Sequence, residues 1–188
     1  MNRRLLEIIG IVCIVAATLV GTFFLAHYVQ DNNAAQNLVE QFGYLGILAL
    51  SIIIGLNLFL PIPAATLAPI FVAAGFALPA IIATVVAGSM FADGVGYLMG
   101  VGGKRIAKHA HPAFQKKMQA LARRHHTLLL PFVFLYATFS PFPNELILIP
   151  LAISGIKYRV LFIPLLLGTI LYEAVIAYGL TGAFHYFL

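Results

Sequence analysis

Residues 59–65 read Phe59-Leu60-Pro61-Ile62-Pro63-Ala64-Ala65, and 80 positions later residues 139–145 read Phe139-Ser140-Pro141-Phe142-Pro143-Asn144-Glu145. Each Pro-x-Pro pair interrupts a long apolar run. A helix does not continue through such a pair, because proline lacks its N–H and restricts the residue before it. The first run, 43–76, is split into limbs of 18 and about a dozen residues; the second, 127–155, into limbs of about 14 and 12. Crossing the hydrocarbon takes about 20 helical residues, so the limb after each break is too short to span. Both runs therefore read as re-entrant hairpins that break inside the protein at Pro61, Pro63, Pro141 and Pro143 and return to the side they entered from.

Each hairpin is followed by a stretch long enough to cross, 79–101 and 160–182. The shift that superposes the prolines also superposes Gly75 on Gly155, Gly88 on Gly168, Ser89 on Thr169 and Asp93 on Glu173. An acid aligned with an acid is not expected from composition alone, since only 9% of the chain is charged and 62% is hydrophobic. Soluble domains carry roughly 25% charged residues, so this chain lacks the polar side chains to coat a water-facing surface. Ahead of the two units lies a further apolar span, 5–28. It follows Arg3 and Arg4 but is longer than a signal-peptide core, and it reads as an uncleaved transmembrane helix. Between it and the first hairpin, the polar stretch 31–41 carries apolar residues at helical spacing (Ala35, Leu38, Val39, Phe42), which predicts a short interfacial helix capped by Asp31 or an Asn.

The distribution of charge orients the chain. The segment 103–126 holds seven of the eleven Lys and Arg and four of the six His. With Phe114, Met118 and Leu121 as an apolar stripe, it reads as a basic amphipathic helix on anionic headgroups. With the N-terminus cytoplasmic, all eleven basic residues fall on the cytoplasmic side and the C-terminus lies outside, as the positive-inside rule requires. This also accounts for the net charge of +5 without nucleic acid. Counting each hairpin as two full crossings gives the same sidedness; limb length is what favours the hairpins. The expected fold class is an all-α membrane protein: one domain, 1–188, with an inverted-topology repeat of re-entrant hairpin plus transmembrane helix and one extra N-terminal transmembrane helix.

Three acids fall inside membrane segments: Asp93, Glu145 and Glu173. A charge there costs roughly 2.5 kcal/mol or more. Such groups face a cavity, find a partner or stay protonated. Together with Asn144 they make a candidate substrate or proton site, Glu145 foremost because it directly follows a break. The alternative is a carboxyl hydrogen-bonded to helix ends for packing. Asn57, Thr66, Thr138 and Ser140 also lie near the breaks and suit the backbone groups that proline leaves free. Gly94, Gly96, Gly100, Gly102 and Gly103 precede Lys104 and Arg105 without forming a nucleotide-binding fingerprint, and read as close helix packing. The histidines at 109, 111, 125 and 126 sit among basic residues and read as interfacial rather than metal ligands. Cys13 reads as a small buried apolar residue. No cofactor is expected, and no nucleophile with a base and orienting group stands out, so an enzyme is not expected.

Over about residues 40–182 the chain resembles the DedA, or VTT-domain, family of membrane proteins. Gly88-Ser89, Asp93, Tyr97, Gly100 and Gly103 are similar to the family's G-S-x-x-G-D-x-x-x-Y-x-x-G-x-x-G, with Ala92 in place of the glycine before the acid. Pro61-Ile62-Pro63-Ala64-Ala65 is similar to P-x-P-[GS]-E, with Ala65 in the glutamate position. Phe139 and Pro141 match R-F-x-P-x-x-R, with Thr138 and Asn144 replacing its arginines. The resemblance implies translocation of lipid or polyprenyl phosphate across a bacterial-type cytoplasmic membrane, coupled to protons or ions, with membrane lipids as partners. Without the hairpin arginines, a phosphate would have to use helix N-termini or headgroup contacts from Lys157, Arg159, Lys104 and Arg105. Two other readings stay open: a proton-coupled carrier of a small polar solute, and a non-transporting membrane scaffold.

Overall fold

The computed structural model describes the backbone of residues 3–56, 62–110, 126–140 and 142–187. Every regular element among them is helical: α1 (Arg3–Asp31), α2 (Asn33–Gly55), a 3-10 turn (Ala64–Leu67) leading into α3 (Ala68–Ala73), α4 (Leu78–Ala110), α5 (His126–Phe139), α6 (Glu145–Ile153) and α7 (Tyr158–Phe187). By length and composition alone, three stretches qualify to cross a membrane, Asn33–Gly55, Leu78–Gly103 and Tyr158–Tyr186, the first of them interrupted at Gly43. Large apolar side chains point outward along them and their neighbours, Leu45 and Phe24 at 78% exposure and Phe139 at 75%. Lipid solvates such a surface where water would not. The fold is all-α and membrane-embedded.

Asn32 begins α2, its side-chain oxygen accepting from the backbone N–H groups of Ala34 and Ala35 at 2.9 and 3.1 Å. This is an N-cap. The helix then breaks at Gly43, whose φ of 53° and ψ of −154° suit glycine alone. The piece beyond it, 44–55, is about 18 Å long at 1.5 Å per residue, shorter than the roughly 30 Å of hydrocarbon. The short helix expected around 31–41 is thus the first limb of α2, joined to the second through this glycine.

The helices that follow the two breaks are short, six residues for α3 and nine for α6. They end alike. Phe76 N–H donates to Phe71 O, Gly75 N–H to Val72 O and Ala74 N–H to Ile70 O. Eighty positions on, Ile156 donates to Leu151, Gly155 to Ala152 and Ser154 to Pro150. Both are Schellman endings with glycine in the left-handed region, φ 88° at Gly75 and 84° at Gly155. The breaks are satisfied at matched positions too, by different donors. Pro63 O accepts from Thr66 N–H and the Thr66 hydroxyl; Pro143 O accepts from Leu146 N–H and the Tyr136 hydroxyl.

Helix α4 is central, packing on α2, α6 and α7, while α5 packs on α7 and α1 on α3. Ile47, Ile81, Val85, Val133, Leu148, Leu161 and Leu165 are sealed between these helices. Close approach is made at glycine: a Cβ at Gly100 would sit 2.8 Å from Ile149 O on α6, and one at Gly168 2.8 Å from Phe134 O on α5. Of the glycines expected to pack, Gly96 and Gly100 do so, whereas Gly102 and Gly103 face open space.

Residues 103–110, expected at the start of a separate surface element, instead continue α4. Lys104 to Lys108 are mostly good helix formers, and the first proline after them is Pro112. The rest of the basic segment, 111–125, lies outside the described residues, as do Asn57, Pro61 and Pro141. Cys13, expected to be buried, is exposed on α1, whose buried face is instead formed by residues such as Thr22, Ala26 and Val29.

Candidate functional site

A cavity of about 90 Å³ lies between the two breaks and the two following helices, with Pro63 and Ala64 on one side, Pro143, Asn144 and Glu145 on the other, and α4 and α7 behind. It has room for several waters. Asp93, Glu145 and Glu173 all line it, each only 4% exposed. The three acids, far apart in sequence, thus share one chamber. His27 Nε2 lies 3.5 Å from Asp31 Oδ2 near the end of α1, and among the described residues no Lys or Arg lines the chamber.

The acids differ in how they are held. Glu173 is gripped at both oxygens: Oε2 accepts from the Ala65 backbone N–H at 3.0 Å and Oε1 from the Ser89 hydroxyl at 3.2 Å. Ala65 opens the 3-10 turn, where backbone N–H groups have no intrahelical acceptor, and a carboxylate satisfies one of them. Asp93 accepts from the Asn144 side chain at 3.1 Å. Asn144 precedes α6 but does not cap it with its side chain, because that side chain is turned to α4. Glu145 turns back toward its own backbone N–H, and its Cγ packs where Gly96 has no side chain: a Cβ there would lie 2.5 Å away.

The remaining candidates separate cleanly. Thr66 and Thr138 bond to local carbonyls, and the Ser140 hydroxyl accepts from Phe142 N–H. Lys157 and Arg159 are exposed on the turn before α7 and at its start, and neither lines the chamber. Lys104 and Arg105 lie on α4, with side chains outside the described residues. Among the described residues no group of three His, Cys, Asp or Glu could hold a metal ion. Tyr97 donates to Ile156 O at 2.9 Å and Tyr158 to Met90 O at 3.4 Å, tying α4 to the chain entering α7.

Two chamber residues, Ser89 and Thr169, went unassigned from sequence, as did the Ala65 N–H that donates to Glu173. A signal for two of them existed. Ser89 and Thr169 each stand four residues before an acid, which puts hydroxyl and carboxyl on one helix face. No protein-family model, curated protein or solved structure matches the chain.

Proposed function

We propose that this chain is a proton-coupled transporter of lipid or lipid phosphate, a divergent DedA-like protein of a bacterial-type cytoplasmic membrane with its N-terminus inside. The observation that carries the reading is the chamber: three buried carboxyls beside the two proline breaks, with no Lys or Arg among the described residues that line it. Acids at membrane depth that lack a countercharge mark proton and ion pathways. Matched Schellman endings and matched breaks 80 residues apart support an inverted repeat of re-entrant hairpins, in which a site between repeats is exposed to each side in turn. Glu145 and Asp93, held mainly by side chains and by Glu145's own backbone, are the groups free to exchange protons. Asn144 positions Asp93.

Purified protein in vesicles tests this. Fluorescent phospholipid or polyprenyl phosphate should cross faster under a pH gradient. Glu145→Gln and Asp93→Asn should each slow crossing at least tenfold while the purified protein stays folded. A wild-type protein that moves neither lipid, with or without a gradient, overturns the proposal. The second reading, a carrier of a small polar solute, draws on the same chamber: an acidic lining without Lys or Arg suits a neutral or cationic solute better than phosphate. Solute-driven proton uptake without lipid movement would establish it instead.

A further inference from the structure

Thr169 is 2% exposed, it lines the chamber and its hydroxyl has no hydrogen-bond partner. An unpaired buried hydroxyl is destabilising, because it gives up its bonds to water and gains none in return. The other such hydroxyl, on Thr181, lies outside the chamber lining. Most threonines in helices escape this cost by bonding a carbonyl four residues back, as Thr84 and Thr138 do here. Thr169 does not.

Its counterpart one repeat earlier is Ser89, and Ser89 is employed. Ser89 and the Ala65 N–H together hold Glu173, the acid of the opposite repeat. Exchanging the repeats turns that pair of bonds into another pair: Thr169 hydroxyl and Glu145 N–H, both to Asp93. Neither is made. Asp93 is taken by Asn144, and the Glu145 N–H is faced by its own carboxylate. The chamber is therefore latched on one side and open on the other, with the unused donors already present.

We propose that Thr169 is a positioning residue for transport: in the state of opposite access its hydroxyl captures Asp93, while Glu173 releases Ser89 and Ala65. This rests on the inverted-repeat transporter reading and adds the two hydrogen-bonded states between which the chamber alternates. Asn144 and the Glu145 carboxyl are the competitors that must withdraw for the second latch to close. Rocking of one repeat against the other supplies the movement.

The two hydroxyls then have opposite effects on one equilibrium. Ser89→Ala weakens the latch of the described state. Thr169→Val, nearly the same shape, weakens only the other and removes an unpaired group from this one. The test uses full-length Cys13→Ala protein carrying Phe142→Cys, a chamber-lining position that is 59% exposed, and a membrane-impermeant thiol reagent. Ser89→Ala and Thr169→Val should change the labelling rate in opposite directions, each by about threefold or more, and Thr169→Ser should restore the parent rate. Shifts in the same direction, or no shift in either, overturn the proposal; so does a Thr169→Ser protein that behaves like Thr169→Val. Opposite shifts in a protein that moves no lipid would leave this inference standing and remove the lipid assignment alone.

Discussion

The two halves of this protein share a skeleton and divide the chemistry unequally. After its break the first half carries Pro63-Ala64-Ala65, and contributes to the chamber mainly a backbone N–H. The second carries Pro143-Asn144-Glu145, and contributes an amide and a carboxyl side chain. The acids on the long helices follow suit: Glu173 is fixed after the first break through the main chain of Ala65, while Asp93 meets the Asn144 side chain after the second. A main-chain donor holds its place with the fold; a side chain can rotate away. On the reading proposed above, the first half is the fixed wall of the chamber and the second its working face.

The largest effect that would break this comparison is steric. Gly100→Leu drives a side chain into Ile149 O and Ala152, and should destabilise the α4–α6 contact by about 3 kcal/mol, a typical cost of severe overpacking, read as a large drop in thermal midpoint in detergent. Next comes a contrast between acids. Glu173→Leu leaves the Ala65 N–H and Ser89 hydroxyl without an acceptor and should cost about 2 kcal/mol. Glu145→Leu abandons no donor of another residue and should change stability by less than about 1 kcal/mol while stopping transport. Equal destabilisation by both would erase the division into wall and working face. Asn144→Ala should cost about 1 kcal/mol, the worth of one hydrogen bond, and speed proton exchange at Asp93, detectable by infrared difference spectroscopy. The finest comparison is backbone: Gly75→Ala and Gly155→Ala each place a Cβ in the left-handed region, and both should cost about 1 kcal/mol, equal to within a few tenths.

Much of this architecture was legible because it rests on residues with few alternatives. Single prolines at 131, 150 and 164 are accommodated inside helices, but a Pro-x-Pro pair is not, so the breaks at Pro63 and Pro143 could be read directly. Gly75 and Gly155 stood at matching places because a helix that ends in the left-handed region calls for glycine. The acids could be gathered as candidates because charge in hydrocarbon is costly. Their partners could not be read. Whether Asn144 caps its own helix or reaches Asp93 depends on how α6 docks against α4, which neighbouring residues do not encode. Thr169 was aligned with Ser89, yet a threonine in an apolar helix ordinarily bonds its own turn, and only the packed structure leaves it idle. The end of α4 was misjudged because a change to basic composition resembles a boundary, while lysine and arginine sustain a helix well.

The bond from the Ala65 N–H to Glu173 joins positions 108 residues apart, and this bears on how the protein is made. The ribosome delivers the first break long before the helix that completes it. Until the last long helix is in place, the segment after the first break keeps a main-chain donor unanswered, a costly condition away from water. Its maturation therefore waits on the final step of synthesis. A chain stopped short of residue 173 should remain with this segment exposed to quality-control proteases, however complete its earlier helices are.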